Sequence, residues 1–501
     1  MSERVQRADV VVVGAGFGGL GTALSLAERG ADVLLLEQLA YPGGCASTFI
    51  RRGCRHESGA TLFSGFGEGQ LFAEWIGRHD LDVRVDFLDP VVTLRTPSWE
   101  LAVPARRDAW IERLTSRHPD RADALRRLFA EQGRAADALW SLFADPGLLP
   151  PFGVGGLFRH LARAPRYLPL LRWIGQPLSA LVARHGLSDL ETLTTFLDAV
   201  CQITVQTSLA EAEAPFAMAT MDYYFRGTGH VHGGIGRLAW ALVEAFEASG
   251  GRVRMPDRVK SMARRDGVWR LETRRGPVEA PVVVANLLPQ NVTAMLPEGA
   301  EVAPRLLELA GAVEDGWGAV MLYLVVEPGA LADPSAHHLE LVADPSAPFL
   351  EGNHLFCSVA ARDEDRAPDG GRTVTISTHV PMKALRSDPS PGPRVAAIQD
   401  AMRRTLASLA PELSTAVRRE MTASPRTFER FTGRHLGYVG GIPRRHGWHN
   451  YRHLWPAPVA PGLYLVGDTV FPGQSTLATA LGGVKLADHL AGRAVPIAAG
   501  A

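Results

Sequence analysis

The stretch from Val10 to Glu37, VVVVGAGFGGLGTALSLAERGADVLLLE, is the feature that most constrains the fold. The β-branched run Val10–Val13 predicts a short buried strand, and the spacing of Ala and Leu from Leu20 to Glu28 predicts a helix. Val33–Leu36 predicts a second buried strand. A strand, a helix and a strand in such close succession predict a βαβ unit, which is the building block of a parallel sheet.

Glycines occupy the turn between the first strand and the helix. Gly14, Gly16 and Gly19 form the pattern G-x-G-x-x-G, with Gly18 inside it. In this pattern the first glycine permits a tight turn, the second admits a pyrophosphate to backbone N–H groups, and the third allows helix and strand to pack closely. Glu37 ends the second strand, where a carboxylate accepts the hydroxyls of a ribose. These residues predict a dinucleotide site, with a purely structural turn as the alternative.

The bulk properties exclude several classes of partner. The chain has 501 residues, which predicts more than one structural unit. Its 52 Lys and Arg nearly balance its 53 Asp and Glu, so charge provides no argument for binding nucleic acid. No apolar run of about 18 residues predicts a helix that spans a membrane, but a helix lying on a membrane is not excluded. We therefore expect a small or apolar ligand and no nucleic acid.

The cysteines bear on metal binding and on location. Cys45, Cys54, Cys201 and Cys357 are far apart, with no C-x-x-C spacing, which predicts no metal site and a reducing compartment. The N-terminal residues do not have the pattern of a signal peptide. We expect a cytoplasmic protein, or one bound peripherally to the cytoplasmic face of the membrane.

A second glycine turn follows the acidic residue. Pro42, Gly43 and Gly44 expose backbone soon after Glu37. An enzyme that borrows a nicotinamide cofactor has no evident use for this turn, whereas a tightly held FAD needs contacts along its whole length. The two turns together predict FAD.

A family resemblance rests on this N-terminal run and on a block at the other end of the chain. The motifs are PGGCASTF, GATLFSGF and PGLYLVGDTVFPGQSTLATALGGVKLADHL. They resemble the phytoene desaturase and carotenoid isomerase branch of the flavin amine oxidase superfamily, and the resemblance covers nearly the whole chain. By this resemblance Gly467, Asp468 and Thr476 close off the FAD, and Val259 meets its adenine through the backbone.

The resemblance implies an α/β fold, in which a Rossmann-type FAD-binding domain is interleaved with a substrate domain of sheet and helices. The expected FAD-binding parts are residues 1–105, 229–290 and 456–501. The expected substrate domain has a helical, membrane-facing part, 106–228, and a part of sheet and helices, 291–455. Within the helical part, we expect one helix from Trp110 to about Trp140.

The implied function is oxidoreduction of an extended apolar polyene. For carotenoid desaturation, flavin N5 takes a hydride from the substrate, and quinone or oxygen then accepts the electrons. The alternatives within this branch are a redox-neutral carotenoid cis-trans isomerase and a retinol-saturase-like enzyme. Further alternatives are an amine oxidase and, among proteins that are not enzymes, a prenyl-protein binding protein of the GDP dissociation inhibitor type.

The catalytic residues are not evident from sequence. His56, in a His-Glu pair where related desaturases have a different pair, and His232 are weak candidates, and a structural role is the alternative for both. From Leu157 to His185, basic residues interleave with Leu, Trp and Tyr. This segment is typical of helices docked on a membrane, or of an amphipathic helix pair that caps the substrate domain.

Overall fold

The computed structural model describes residues 5–59, 61–329 and 331–492, so the outermost residues of the first and last predicted segments lie outside it. The strands are β1 (Gln6–Arg7), β2 (Val10–Val13), β3 (Val33–Leu36), β4 (Thr48–Arg51), β5 (Cys54–Glu57), β6 (Val85–Asp86), β7 (Val92–Arg95), β8 (Glu100–Val103), β9 (His230–Val231), β10 (Arg252–Arg254), β11 (Val259–Arg265), β12 (Val268–Thr273), β13 (Val278–Ala280), β14 (Val282–Ala285), β15 (Trp317–Val326), β16 (His337–Val342), β17 (His354–Val359), β18 (Arg372–Pro381), β19 (Val417–Ala423), β20 (Pro458–Ala460) and β21 (Leu463–Leu465). The α-helices are α1 (Phe17–Ala27), α2 (Leu71–Arg78), α3 (Arg107–Arg117), α4 (Ala122–Ala144), α5 (Val154–Tyr167), α6 (Leu178–Arg184), α7 (Glu191–Thr204), α8 (Ala214–Thr220), α9 (Ile235–Ala248), α10 (Pro289–Met295), α11 (Pro304–Val313), α12 (Met382–Ser387), α13 (Pro391–Leu409), α14 (Pro411–Ser414), α15 (Pro425–Thr432) and α16 (Thr476–Ala491).

The first sheet has the strand order β10-β3-β2-β14-β21-β20. All neighbours in it are parallel except β20 and β21. Helices α1, α9 and α16 contribute to the apolar core on one face of this sheet, and strands β11–β13 contribute to the core on the other. The sheet therefore combines strands from three distant parts of the sequence, and the predicted α/β class is confirmed.

The second sheet has the order β19-β15-β18-β17-β16-β7-β8. One face is apolar and packs with α13. Strands β7 and β8 fall inside the segment 1–105 that the sequence assigned to FAD binding, yet β7 pairs with β16 of this sheet. The hairpin is a local feature, but its partner strand is some 245 residues away, so the sequence pattern carried no information on which sheet it joins. The other segment boundaries remain predictions.

The helical segment differs from its prediction in one respect. Instead of one helix from Trp110 to about Trp140, α3 ends at Arg117 and α4 begins at Ala122. Pro119 lies between them, and the residue before a proline is disfavoured in helical conformation, which explains the break. Among the helices of the described residues, none is long and apolar enough to cross a membrane.

Candidate functional site

The glycine turn between β2 and α1 has the geometry that its sequence predicts. Gly14 has φ of +99°, a region that favours glycine. A Cβ on Gly16 would lie 2.7 Å from Asn286 Nδ2, and one on Gly19 would lie 2.0 Å from the Gly14 carbonyl oxygen. Gly14, Gly16 and Gly18 line one large cavity, whereas Gly19 does not line it and packs the helix against the turn. The turn leaves backbone exposed on its cavity side.

Glu37 is buried beside this turn and lines the same cavity. The Ala15 N–H donates to its Oε2 at 2.8 Å, and the Leu39 N–H donates to its Oε1 at 2.8 Å. Burial raises the pKa of Glu37, and these backbone hydrogen bonds oppose the rise. Each carboxylate oxygen has more than one acceptor site, so both oxygens remain able to accept a ligand hydroxyl.

The second glycine turn docks directly on the first. The Gly43 N–H donates to the carbonyl of Ala15 at 2.8 Å. Gly43 has φ of +108°, and Gly43 and Gly44 both line the cavity. The two glycine turns therefore meet at one wall of the cavity.

Distant segments complete this half of the cavity. Gly467, Asp468 and Thr476 line it, and so does Val259 at the start of β11. Thr476 is the first residue of α16, and its Oγ1 is buried without a hydrogen-bond partner among the described residues. A buried hydroxyl at the positive end of a helix is suited to an electron-rich ligand edge.

Two residues of this half were not singled out by sequence. Asn286, after β14, lies at the point where the glycine turn meets Gly467, and its Nδ2 donates to the Gly14 carbonyl at 3.3 Å. Arg434 lines the cavity and its Nη2 donates to Asp468 at 2.8 Å. The sequence signal for Asn286 is its position, because it is a polar residue directly after a buried parallel strand. We know of no local signal for Arg434.

The other half of the cavity has the second sheet as its floor. Cross-strand pairing places Met321, Ser377 and Phe356 side by side on one sheet face, and all three line the cavity. Ala319 and His379 form the adjacent pair on this face and also line it. Burial lowers the pKa of His379 to about 4, so its imidazole is neutral at physiological pH.

The helical segment covers this floor. Apolar cavity-lining side chains come from the end of α4, from the turn after it, and from α7 and α8: Leu139, Trp140, Leu142, Phe143, Leu149, Ile203, Phe216 and Ala219. The whole cavity has a volume of about 490 Å³. An apolar molecule matches the chemistry of this half.

The two histidine candidates lie elsewhere. Neither His56 nor His232 is among the described residues that line the cavity. His56 is buried with ring contacts to Phe49 and Tyr323, and burial together with the Arg366 charge lowers its pKa to about 4. His232 Nε2 lies 3.4 Å from Asp363. Both histidines contact neighbouring side chains, and neither lies at the cavity wall.

The sequence and the fold both have counterparts among known proteins. The pattern that defines the family described as "FAD dependent oxidoreductase" matches residues 9–466. Prolycopene isomerase 1, chloroplastic, of an Oncidium hybrid cultivar is 25% identical, over 98% of this chain and 84% of its own length. Human all-trans-retinol 13,14-reductase is 24% identical over 64% of this chain and 54% of its own length.

Among solved structures, a putrescine oxidase with bound putrescine superposes with a TM-score of 0.63. The match covers 98% of this chain and all of that one, at 15% identity. At this identity the likeness is evidence for the fold alone.

Proposed function

The chain belongs to the FAD dependent oxidoreductase family, and from this premise we propose that it is an enzyme that isomerises double bonds of an elongated polyene. The observation that carries the proposal is that one cavity is lined by both glycine turns and by the apolar floor and cover of the second sheet. A cofactor and an apolar chain would thereby lie in one cavity.

The residues of the first half fit FAD. In the proposed site, the glycine turn would hold the pyrophosphate at the N-terminus of α1, and Glu37 would accept the ribose hydroxyls. Gly43 and Gly44 would lie along the cofactor chain, while Asp468 and Thr476 would contact its flavin end. The isoalloxazine of bound FAD supplies reversible transfer of a hydride or electrons.

The residues of the second half act on the substrate by placement and by excluding water. Phe216, Met321 and Phe356 offer apolar surface, which favours burial of a hydrocarbon chain by about 25 cal/mol per Å². His379 is neutral, so a hydrocarbon chain beside it would not have to desolvate a charge. A dry cavity also protects a reduced cofactor from side reactions.

Among isomerisation, desaturation and reduction, we propose isomerisation because of the share of this chain that each relative matches. The prolycopene isomerase matches 98% of the chain, whereas the retinol reductase matches 64%. Desaturation with quinone or oxygen as electron acceptor stays a prediction from sequence. Expression in pigment-producing cells, described below, distinguishes isomerisation, desaturation and reduction.

A membrane surface is the proposed source of the substrate. On α5 the exposed apolar residues Val154, Leu157, Phe158 and Leu161 recur at helical spacing and form what we call the α5 stripe. Phe158 is 66% exposed and Leu161 is 60% exposed. Helix α5 packs against α4, whose end lines the cavity, and carries basic residues as well. An exposed apolar stripe on a basic helix is suited to lying in a bilayer interface.

The test is expression in cells that accumulate prolycopene, followed by chromatography of the pigments. We expect conversion to the all-trans isomer with no change in the number of double bonds, and no conversion by a Gly16→Ala variant. Products with more or fewer double bonds would instead identify a desaturase or a reductase. If prolycopene, phytoene, retinol and retinoic acid all remain unchanged while the purified protein holds FAD, the polyene proposal is wrong.

A further inference from the structure

The substrate half of the cavity has one polar corner, built around the loop that follows α7. Three successive carbonyls of residues 204–206 accept hydrogen bonds from three separate parts of the chain. The donors are Gln474 Nε2 at 2.6 Å, the backbone N–H of Arg444 at 2.9 Å and Trp317 Nε1 at 2.6 Å. This loop is held firmly, so the side chains that it and its partners present to the cavity have defined positions.

Gln206 occupies an unfavourable environment within this corner. Its φ is +60°, which costs free energy for any residue other than glycine, and it is only 6% exposed. Its Nε2 lies 3.4 Å from His379 Nε2, but its Oε1 has no partner among the described residues. A Cβ on Gly440 would lie 2.4 Å from Gln206, so a glycine opposite makes the space for this side chain. A strained, buried amide with an unused polar atom at a cavity wall indicates a ligand.

Arg444 supplies the charge of this corner. Its guanidinium lies over the Phe216 ring, 5.3 Å from the centroid, and its Nη2 donates to the Pro472 carbonyl at 3.3 Å. It forms no ion pair with a carboxylate in the described part of the chain, unlike Arg434, which pairs with Asp468 at 2.8 Å. Burial lowers the pKa of Arg444 to about 10, so the side chain still carries a proton at neutral pH. A half-buried cation without an anion is unfavourable, and an anionic ligand in the cavity would compensate that cost.

We propose that Arg444, Gln206 and His379 form a subsite for a terminal carboxylate, so that the preferred substrate is an elongated polyene acid rather than a hydrocarbon. This inference rests on the proposed action on a polyene. A guanidinium binds a carboxylate through two parallel hydrogen bonds, which fixes position as well as adding affinity. Because the rest of this half is mainly apolar, the acid end would set the register of the chain along the cavity.

The first test needs no variant. Binding of all-trans-retinoic acid, its methyl ester and lycopene to the FAD-loaded enzyme is measured by quenching of tryptophan fluorescence. We expect the acid to bind at least about tenfold more tightly than the ester, which corresponds to about 1.4 kcal/mol. Equal affinity of acid and ester, or tighter binding of lycopene, would overturn the subsite while leaving the polyene function intact. If none of the three binds, both proposals fail.

The second test assigns the preference to Arg444. Arg444→Met should remove the preference for the acid over the ester, and Arg444→Lys should retain part of it because the charge remains. Arg445→Met, which alters the next residue outside the cavity lining, is the matched control and should keep the full preference. FAD affinity is measured for each variant. If Arg444→Met weakens FAD binding and leaves the acid preference unchanged, Arg444 serves the cofactor and the proposal is wrong.

Discussion

Asn286 donates from its Nδ2 to the carbonyl of Gly14 across 272 residues of sequence, at 3.3 Å. The same side chain lies 2.7 Å from the Cβ position of Gly16 and 2.7 Å from that of Gly467. One amide thus holds the first glycine turn against the C-terminal Gly-Asp segment. The cavity wall at this point depends on a contact between parts of the chain that are close only in the fold.

Replacement of Asn286 should therefore weaken FAD binding. Asn286→Ala removes one hydrogen bond to the turn, worth about 1 kcal/mol, and we expect roughly fivefold weaker binding of FAD. Titration of the FAD-free protein with FAD measures this. Gln290→Ala, which breaks a bond from α10 to Ala310 away from the cavity, is the control. Equal affinity of the Asn286 variant and the control would argue against the proposed role.

The glycine turn should be intolerant of a single methyl group. In Gly16→Ala the new Cβ meets Asn286 and occupies the approach of a pyrophosphate, so we expect FAD affinity to fall at least about tenfold. Gly77→Ala in α2 places its Cβ where, apart from its own helix, no atom of the described residues lies within 4 Å, and a helical alanine stabilises by about 0.5–1 kcal/mol. Flavin absorbance of the purified proteins and their thermal unfolding measure the two effects. Normal flavin content in Gly16→Ala would contradict the site.

A buried carboxyl predicts how stability depends on pH. Glu340 lies beside Phe356 on the cavity face of the second sheet, accepts a hydrogen bond from Tyr224 at 2.8 Å, and has its pKa raised by burial from 4.5 to about 8. The pKa of Glu340 is higher in the folded protein than in the unfolded chain. Its protonated carboxyl therefore contributes fully to the free energy of unfolding below pH 4.5, and this contribution is lost as the pH rises through about 8.

Glu340→Gln should therefore show a smaller loss of unfolding free energy than the wild type between pH 5 and pH 8. Denaturant unfolding at several pH values measures it. Glu244→Gln, on the exposed face of α9, should follow the wild-type dependence. If Glu340→Gln shows the same pH dependence of unfolding free energy as the wild type, the Glu340 carboxyl is already ionised in the folded protein and the prediction is wrong.

The α5 stripe should determine membrane binding. Phe158→Ser combined with Leu161→Ser removes two exposed apolar side chains, each worth about 1.5–3 kcal/mol when fully buried, and we expect at least about tenfold weaker binding to vesicles. Cosedimentation with vesicles of phosphatidylcholine and phosphatidylglycerol measures it. Leu307→Ser on α11, a leucine that is 58% exposed, is the control. Loss of binding in both variants, or in neither, would reject the stripe as the docking surface.

Local patterns were sufficient for much of the FAD-binding half. The strands predicted over Val10–Val13 and Val33–Leu36 have these bounds in the structure, as β2 and β3. Gly14, Gly16 and Glu37 line one cavity, and their role in holding a dinucleotide stays a prediction. These features depend on residues that are neighbours in sequence, where the physics of turns and periodicity operates.

The sequence by itself determined the α/β class, the glycine turns and the acid beside them, because each requires a particular residue at a particular local backbone position. Tertiary structure alone decided that β7 joins the second sheet and that Asn286 meets Gly14. It also decided that Arg444 lies at the cavity without a carboxylate partner among the described residues. Such relationships arise from strand pairing and packing between distant segments, and no local pattern encodes which distant segment will be the partner.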